Sequence, residues 1–224
     1  MFRAVIFDLD DTLYPEMEYV KAAFRHTAAF LSVRYGLEKE TVSEQMLENL
    51  LKNGRGRIFN RISEQYHLNA DISELVNIYR ETEPVLHLYP DAEAVLLKLK
   101  EINSSTGLIT DGYAAVQRAK VKALHLENRI KSVIVTDELG MDEQGRRYSK
   151  PSPFVFQRCL DELCCKPEDA VYIGDNPQKD FIGARQLGMK TIRVVREEGD
   201  HCKDKAAPGY DADYEIRELT DILV

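Results

Sequence analysis

The sequence predicts an α/β fold, a doubly wound parallel sheet with a small helical domain inserted after its first strand. Two observations lead to this fold class. Short, mostly apolar runs recur along the chain, which is typical of strands that are buried on both faces of a parallel sheet. Helical patterns alternate with the later runs, as in strand–helix–strand crossovers, whereas only helical patterns lie between the first two runs.

Each strand prediction rests on a short run rich in apolar and β-branched residues. The predicted strands are residues 4–7, 106–110, 132–136, 170–174 and 191–195. Apolar residues spaced three and four apart predict the helices that accompany the later strands. These helices are residues 91–100, 114–124, 153–163 and 179–187. Regular alternation of this kind predicts a sheet with helices on both faces.

The segment from Pro15 to Pro84 differs from the rest of the chain because it is rich in helix formers and contains no convincing strand. Apolar residues recur there at helical spacing, at positions 24, 28 and 31, then 42, 46, 47 and 50, and again at 75, 78 and 79. A block of this length is too long for an ordinary crossover. We therefore expect residues 16–84 to form a helical cap domain, and residues 1–15 and 85–224 to form the α/β core domain.

Charge and composition narrow the classes of function. The 224 residues carry a net charge of −8, which argues against broad electrostatic binding to nucleic acid or acidic membranes but permits a local site for a small anion. The apolar runs are too short to cross a bilayer, and the N-terminus lacks a signal-peptide pattern. The four cysteines have neither zinc-ligand nor Cys-x-x-Cys spacing. We expect a cytoplasmic protein with reduced thiols.

Residues that can bind a metal ion or a phosphate follow the predicted strands, where ligands of open α/β sheets lie. They are Asp8, Asp10 and Thr12 after the first strand, Thr110 and Asp111 at the end of the second, Lys150 before the helix at 153–163, and Asp175 and Asp180 after the fourth. Taken singly, each has an ordinary reading as a turn residue, a helix cap or a solvated lysine. Together, at the same edge of one sheet, they predict a site.

The chemistry of these side chains indicates the kind of site. Clustered carboxylates repel one another, so a folded protein tolerates them only with a compensating cation. Carboxylate and carbonyl oxygens suit magnesium, whose shell is usually completed by water and a substrate phosphate. Lys150 adds a fixed positive charge for a carboxylate and a phosphate oxygen, and the Thr110 hydroxyl is a natural phosphate donor.

Four segments, in this order, resemble the four motifs of the haloacid dehalogenase superfamily in its magnesium-dependent phosphatase branch. They are Phe7-Asp8-Leu9-Asp10-Asp11-Thr12-Leu13, Thr110-Asp111-Gly112, Lys150-Pro151, and Gly174-Asp175 through Asp180. The resemblance spans nearly the whole chain, and the helical insert occupies the cap position of one large subgroup. It implies a Rossmann-like core, magnesium as the cofactor and phosphoryl transfer as the chemistry.

The resemblance implies a separate catalytic role for each of the acidic residues. Asp8 attacks phosphorus and forms an aspartyl-phosphate, and Asp10 protonates the leaving alcohol and then activates the water that hydrolyses the intermediate. Magnesium is held by the Asp8 side chain, the Asp10 backbone carbonyl and Asp175.

The remaining motif residues are expected around this centre. Thr110 and Lys150 bind the phosphate, with a further contribution from the backbone N–H of Asp111. Asp180 is expected to orient Lys150 or a metal-bound water, and Thr12 is also placed outside direct contact with the substrate.

The expected partner is a small phosphorylated metabolite, a sugar phosphate or a nucleoside monophosphate, and neither a nucleic acid polymer nor a membrane. A phosphomutase shares every core residue and stays open as an alternative, as does a non-catalytic binding protein, although no expected residue is lost. An aspartate at position 10 argues against a metal-independent dehalogenase.

In the cap, Arg55, Arg57 and Arg61 are candidates for substrate specificity because arginine forks suit carboxylate or phosphate groups. A solvated loop is an equally good interpretation of these arginines.

Overall fold

The computed structural model describes residues 2–223 and contains six strands and eight α-helices within that range. The strands are β1 (Ala4–Phe7), β2 (Ser105–Thr110), β3 (Ser132–Val135), β4 (Ala170–Gly174), β5 (Lys190–Val194) and β6 (Tyr214–Ile216). The helices are α1 (Glu16–Tyr35), α2 (Lys39–Asn53), α3 (Ile58–Gln65), α4 (Ile72–Arg80), α5 (Pro90–Glu101), α6 (Ala114–Ala123), α7 (Pro153–Leu163) and α8 (Ile182–Gln186). Short 3₁₀ turns cover Leu126–Asn128, Thr136–Leu139, Pro167–Asp169 and Leu219–Leu223.

All six strands lie in one parallel sheet, in the order β3-β2-β1-β4-β5-β6. Strand β1 pairs with β2 on one side and with β4 on the other, so that Phe7 is opposite both Leu108 and Ile173. The order in which strands are added reverses beside β1, and ligands of open α/β sheets bind at such a reversal, at the carboxyl ends of the strands. The predicted fold class is confirmed.

The central strands are buried on both faces, since every residue of β1 and β4 is buried. Alternate residues of a strand point to opposite faces, so this pattern requires cover on both sides of the sheet. On one face, Ile6, Ile109 and Tyr172 pack with Phe156 of α7 and Ala184 of α8. Helices α5 and α6 pack against β2 and β3.

The segment between β1 and β2 forms the predicted helical insertion, which is confirmed as helices α1 to α4 followed by α5. Helices α1 to α4 enclose a hydrophobic core of their own. Its buried members are Val20, Phe24, Ala28, Leu31, Val42, Met46, Leu50, Ile62 and Leu75. The rings of Phe24, Phe59 and Tyr79 pack against one another with centroids 5.8–6.5 Å apart.

Two compact units are distinguished by their internal contacts. One contains the described residues up to Glu16 and from Leu86 onward, and therefore the whole sheet; the other contains Met17–Val85. Each unit has its own buried core. Within residues 2–223, no helix combines the length and the apolar character needed to cross a membrane.

Two details differ from the sequence-based expectation. Strand β6 pairs in parallel with β5 at the edge of the sheet, but it is only three residues long and contains Glu215, so its sequence lacks an apolar run. The helix predicted at 179–187 is shorter, because Lys179 and Asp180 donate their backbone N–H groups to the Asn176 carbonyl in a preceding turn. Helix α8 begins only at Ile182.

A buried ion pair ties the chain after β5 to the start of α5. Asp91 accepts hydrogen bonds from the Arg196 guanidinium at 2.7 and 3.1 Å and from the Leu219 N–H at 2.7 Å. Arg196 also donates to the Thr12 carbonyl at 2.9 Å and lies over the Tyr89 ring. Only 9% of the Arg196 side chain and 11% of the Asp91 side chain are exposed. This pair therefore holds together three segments that are distant in sequence.

We expect Asp91→Ala to lower the free energy of unfolding by about 3–5 kcal/mol, because it leaves the Arg196 guanidinium buried without its counter-ion. Urea denaturation, extrapolated to water, measures this loss. Glu93→Ala is the matched control: Glu93 lies on the same helix and also binds an arginine with both oxygens, Arg129 at 2.7 and 2.9 Å. However, 47% of the Glu93 side chain is exposed, and exposed pairs contribute at most about 1 kcal/mol. Equal losses for the two variants would contradict the idea that burial sets the strength of these pairs.

Candidate active site

The carboxyl ends of β1, β2 and β4 bring most of the predicted site residues to one edge of the sheet. Asp8 directly follows β1, Thr110 is the last residue of β2, and Asp175 directly follows β4. The hydrogen bonding between β1 and β4 extends to Asp8, whose N–H donates to the Ile173 carbonyl at 2.8 Å. Parallel pairing thus fixes the backbone positions of Asp8, Thr110 and Asp175 at this edge.

Lys150 lies in the loop before α7 and joins two of the carboxylates. Its ammonium contacts Asp8, lies 2.7 Å from Asp180 Oδ1 and donates to the Tyr172 hydroxyl at 2.9 Å. The Lys150 and Asp180 side chains are both 0% exposed. Burial acts to lower the pKa of Lys150, but the charges of Asp180 and Asp8 outweigh it and hold that pKa well above its usual range. Lys150 is therefore a fixed positive charge.

Asp180 is held against Lys150 by the backbone around the end of β4. Its Oδ2 accepts the Asn176 N–H at 2.8 Å while its Oδ1 faces Lys150. A β carbon on Gly174 would overlap the Asp180 carboxylate, so glycine at the end of β4 is what allows this close approach. Asp180 thus contacts Lys150 directly, and its role in orienting that lysine stays a prediction.

Three buried carboxylates lie within reach of a single ion. Asp8, Asp175 and Asp180 each offer an oxygen, and these oxygens lie within 4.8 Å of one another. Among the described residues, no donor hydrogen-bonds to the Asp175 carboxylate, although only 7% of Asp175 is exposed. A buried carboxylate without a partner is costly unless a cation accompanies it. An all-oxygen donor set with one uncompensated member fits a divalent metal ion.

The pKa values of two of these carboxylates are displaced upward. Burial raises the pKa of Asp8 to about 6, against the opposing charge of Lys150. Burial, together with the charges of Asp8 and Asp180, raises the pKa of Asp175 well above its ordinary value. A bound divalent cation adds positive charge beside both groups, and it therefore favours the release of their protons.

Asp10 has the opposite environment, because three donors surround its carboxylate. Tyr14 donates to Oδ1 at 2.6 Å, the Lys120 ammonium lies 2.7 Å from Oδ1, and Gln117 donates to Oδ2 at 2.9 Å. Burial acts to raise the pKa of Asp10, but Lys120, Tyr14 and Gln117 outweigh it and lower that pKa. The Gln117 amide also donates to the Thr110 hydroxyl, so Thr110 and Asp10 share one donor.

Asp111 braces the loop that carries Lys150. Its Oδ1 accepts the Thr136 hydroxyl at 2.8 Å and the Lys150 N–H at 3.2 Å, and its Oδ2 accepts Lys179 Nζ at 3.1 Å. Burial opposes ionisation of Asp111, but the Lys150 and Lys179 charges outweigh it and lower its pKa. Thr12 lies apart from this network: its hydroxyl is buried without a hydrogen-bond partner among the described residues.

The cap arginines lie in the helical unit. Arg55 and Arg57 line a groove of about 290 Å³, together with apolar side chains such as Phe59. Arg61 donates to the Gly56 carbonyl at 3.1 Å and so braces the turn between α2 and α3. The role of these arginines in substrate specificity stays a prediction.

Five residues of this site were not predicted from the sequence. They are Tyr14, Gln117, Lys120, Tyr172 and Lys179. A signal exists for two of them, since Gln117 and Lys120 are spaced three apart on α6 and share its buried face with Val116 and Val121. Polar residues within an apolar helix face usually have a buried partner.

The chain matches a known family model and close relatives over most of its length. The model of the haloacid dehalogenase-like hydrolases matches residues 5–194. Glyceraldehyde 3-phosphate phosphatase of Methanopyrus kandleri is 30% identical over 236 residues, which covers 100% of this chain and 97% of that relative. The enzyme of the same name from Pyrococcus furiosus is 28% identical over 229 residues, covering 99% of this chain and 91% of that relative.

A solved structure shares the fold. The HAD-hydrolase YfnB of Bacillus subtilis, in a magnesium-bound form, superposes with a TM-score of 0.72 at 19% identity, covering 99% of this chain and 96% of that one. At this identity the likeness concerns the fold, which agrees with the sheet order and the helical insertion described above.

Magnesium is expected to raise the melting temperature, and by more near pH 7.5 than near pH 5. Since the folded-state pKa of Asp8 is raised to about 6, protonated Asp8 contributes stability below its unfolded-state pKa, and this contribution is lost as the pH rises through about 6. The metal must displace that proton near pH 5 but not near pH 7.5. At a hundredfold excess over Kd the gain is about 2.7 kcal/mol, or about 5–10 °C for a chain of this size. Scanning fluorimetry with magnesium or EDTA measures it.

Asp175→Asn tests the metal site in the same assay. The substitution removes a buried carboxylate that lacks a partner, so we expect it to raise the melting temperature in EDTA and to abolish the gain from magnesium. Asp211→Asn, at an exposed aspartate, is the control and should leave both values unchanged. A magnesium gain that survives in Asp175→Asn would mean that the ion binds elsewhere.

Proposed function

The chain belongs to the haloacid dehalogenase-like hydrolases, in their phosphatase branch, and we propose that it is a magnesium-dependent hydrolase of a small sugar phosphate that works through a phosphorylated Asp8. The observation that carries the proposal is the pairing of buried Asp8 with Lys150 beside the partnerless carboxylate of Asp175. These three side chains would supply the nucleophile, a cation for the phosphate and a metal ligand.

Asp8 is the proposed nucleophile because it combines burial with a cationic partner. One of its oxygens contacts Lys150, and its backbone N–H donates to the Ile173 carbonyl of β4 at 2.8 Å. A carboxylate fixed in this way can attack phosphorus in line with the departing alcohol, forming the Asp8 acyl phosphate as the bond from phosphorus to the alcohol oxygen breaks.

Asp10 is the proposed acid and base. It would give a proton to the departing alcohol oxygen and then take one from the water that attacks the phosphorylated Asp8. Its three donors, Tyr14, Gln117 and Lys120, support a role that requires a fixed carboxyl position. Positioned proton transfer of this kind contributes about 10²–10⁴-fold in rate.

Thr110, Lys150 and the Asp111 N–H are the proposed phosphate contacts. The Lys150 ammonium contacts Asp8, the proposed nucleophile, and Thr110 ends β2, the strand next to β1. Asp111 supports them indirectly, since its side chain accepts the Lys150 N–H and holds that loop.

Magnesium would be held by the Asp8 and Asp175 carboxylates and by the Asp10 backbone carbonyl, and when bound it neutralises charge on the transferring phosphoryl group. Asp180 is the alternative third carboxylate. Both of its oxygens are already engaged, Oδ1 with Lys150 and Oδ2 with the Asn176 N–H. These contacts support a role for Asp180 in holding Lys150 rather than the metal.

The proposed substrate class follows from the relatives and from charge. Two phosphatases named for glyceraldehyde 3-phosphate are similar to this chain over nearly its whole length. A net charge of −8 argues against large polyanionic substrates. In the cap, Arg55 and Arg57 are proposed to contact an anionic or hydroxyl-bearing part of the substrate, since guanidinium forks bind such groups.

A substrate panel tests the proposed function. Phosphate release is measured from triose, pentose and hexose phosphates, nucleoside monophosphates and acyl phosphates, in magnesium and in EDTA. We expect the highest kcat/KM with a triose or another small sugar phosphate, and loss of release in EDTA. No release from any compound, or full activity in EDTA, would overturn the proposal. Conversion of a sugar phosphate to its isomer without phosphate release would instead identify a phosphomutase.

The nucleophile is tested by substitution. Asp8→Asn should lower turnover by at least about a thousandfold, because a carboxamide does not attack phosphorus. Asp10→Ala should still become phosphorylated by p-nitrophenyl phosphate, whose phenolate leaves without a proton, but should hydrolyse the phosphoenzyme slowly. Intact-protein mass spectrometry after rapid quenching detects the added phosphoryl group, with Asp8→Asn as the unlabelled control. Wild-type turnover in Asp8→Asn would exclude Asp8 as the nucleophile.

A further inference from the structure

Helix α6 places two polar side chains in the interior, where side chains of this kind need partners. Gln117 is 2% exposed and Lys120 is 3% exposed, although both lie on a helix whose other polar residues include the exposed Arg118 and Lys122. Burying a lysine ammonium is costly unless it forms a close ion pair. Lys120 forms that pair with Asp10, at 2.7 Å.

Gln117 makes a connection between two proposed functional groups. Its Nε2 donates to Asp10 Oδ2 at 2.9 Å and also to the Thr110 hydroxyl oxygen. Because the Thr110 oxygen accepts this bond, its own proton is available for a different acceptor. A phosphate oxygen at the sheet edge is such an acceptor.

The loop between β2 and α6 is shaped around Gln117. Gly112 has a φ of +136°, and a β carbon at that residue would lie 3.1–3.2 Å from the Gln117 side chain. A larger residue at position 112 would therefore press on the carboxamide that contacts Asp10. The geometry of the Thr110-Asp111-Gly112 segment and the position of Gln117 thus depend on each other.

We propose that Gln117 and Lys120 are positioning residues that hold the Asp10 carboxyl and the Thr110 hydroxyl as one unit on helix α6. The proposal rests on the proposed roles of Asp10 and Thr110. Lys120 pairs with Asp10 at 2.7 Å, so its loss affects proton transfer to the leaving group and from water. Gln117 holds both Asp10 and Thr110, so its loss also weakens phosphate binding. Misplacement of a reacting group by about 1 Å can cost about a hundredfold in rate.

Lys120→Met tests the first part, because it keeps an unbranched side chain of similar length and removes the ammonium. The readout compares kcat/KM for an alkyl phosphate, glycerol 3-phosphate or the best substrate of the panel, with kcat/KM for p-nitrophenyl phosphate. We expect a loss of about ten- to a hundredfold for the alkyl phosphate, with KM nearly unchanged. For p-nitrophenyl phosphate the loss should be less than about threefold, since its leaving group needs no proton. Lys122→Met, exposed on the same helix, is the matched control and should behave as wild type with both substrates.

Gln117→Leu tests the second part. We expect it to lower kcat/KM for the alkyl phosphate and also to raise the inhibition constant of inorganic phosphate by about three- to tenfold, whereas Lys120→Met leaves that constant unchanged. A substitution that merely loosened the fold would affect both substrates and the melting temperature alike. Should Lys120→Met fail to fold, Gln117→Leu tests the same carboxylate through its other oxygen.

Equal losses with both substrates, or wild-type behaviour of Lys120→Met and Gln117→Leu, would overturn the positioning role. This failure is distinguishable from failure of the proposed function. In the first case the wild type releases phosphate and Asp10→Ala is selectively impaired with the alkyl phosphate. In the second case the wild type releases none, or Asp10→Ala shows no such selectivity.

Discussion

The balance of buried charge at the carboxyl ends of β1 and β4 is the constraint on which the rest of the site depends. Four carboxylates meet there: Asp8, Asp10, Asp175 and Asp180. Ionised carboxylates in poorly hydrated surroundings repel one another, so each needs a positive partner. Lys150 contacts Asp8 and Asp180, and Lys120 contacts Asp10. Asp175 has no such partner among residues 2–223. A divalent cation beside Asp175 would therefore complete the charge balance.

The same balance of charges gives opposite pKa shifts to Asp8 and Asp10, which are only two residues apart. Burial raises the pKa of Asp8 to about 6, whereas Lys120 and its neighbours outweigh the effect of burial and lower the pKa of Asp10. Opposite displacements of this kind mark different roles. In the proposed role of Asp10, its ionised form would accept a proton from water. A substrate phosphate dianion beside it would add negative charge and raise its pKa, which would allow Asp10 to donate a proton to the leaving group.

Local sequence patterns predict the strands and the aspartates that follow them, but not the contacts that depend on tertiary packing. Apolar runs locate β1 and β4 without error, and the aspartates that follow them lie where parallel strands end. Lys120 and Gln117 share the apolar face of α6, which hints at buried partners. The identity of those partners, Asp10 and Thr110, is not local, because it depends on how α6 packs beside the sheet. Tyr14 is not predicted for the same reason: its contact with Asp10 depends on how the loop after β1 folds back.

The division into two units explains why the reaction is easier to infer than the substrate. The side chains that hold Asp8, Asp10 and Asp180 all belong to the unit that contains the sheet. These side chains form buried pairs of opposite charge, so replacing one member leaves the other buried without its partner. The helical unit has its own hydrophobic core, formed by residues such as Phe24 and Met46. Changes on its surface, including the groove at Arg55 and Arg57, leave that balance intact. If these arginines contact the substrate as proposed, substrate preference can vary while the chemistry stays the same.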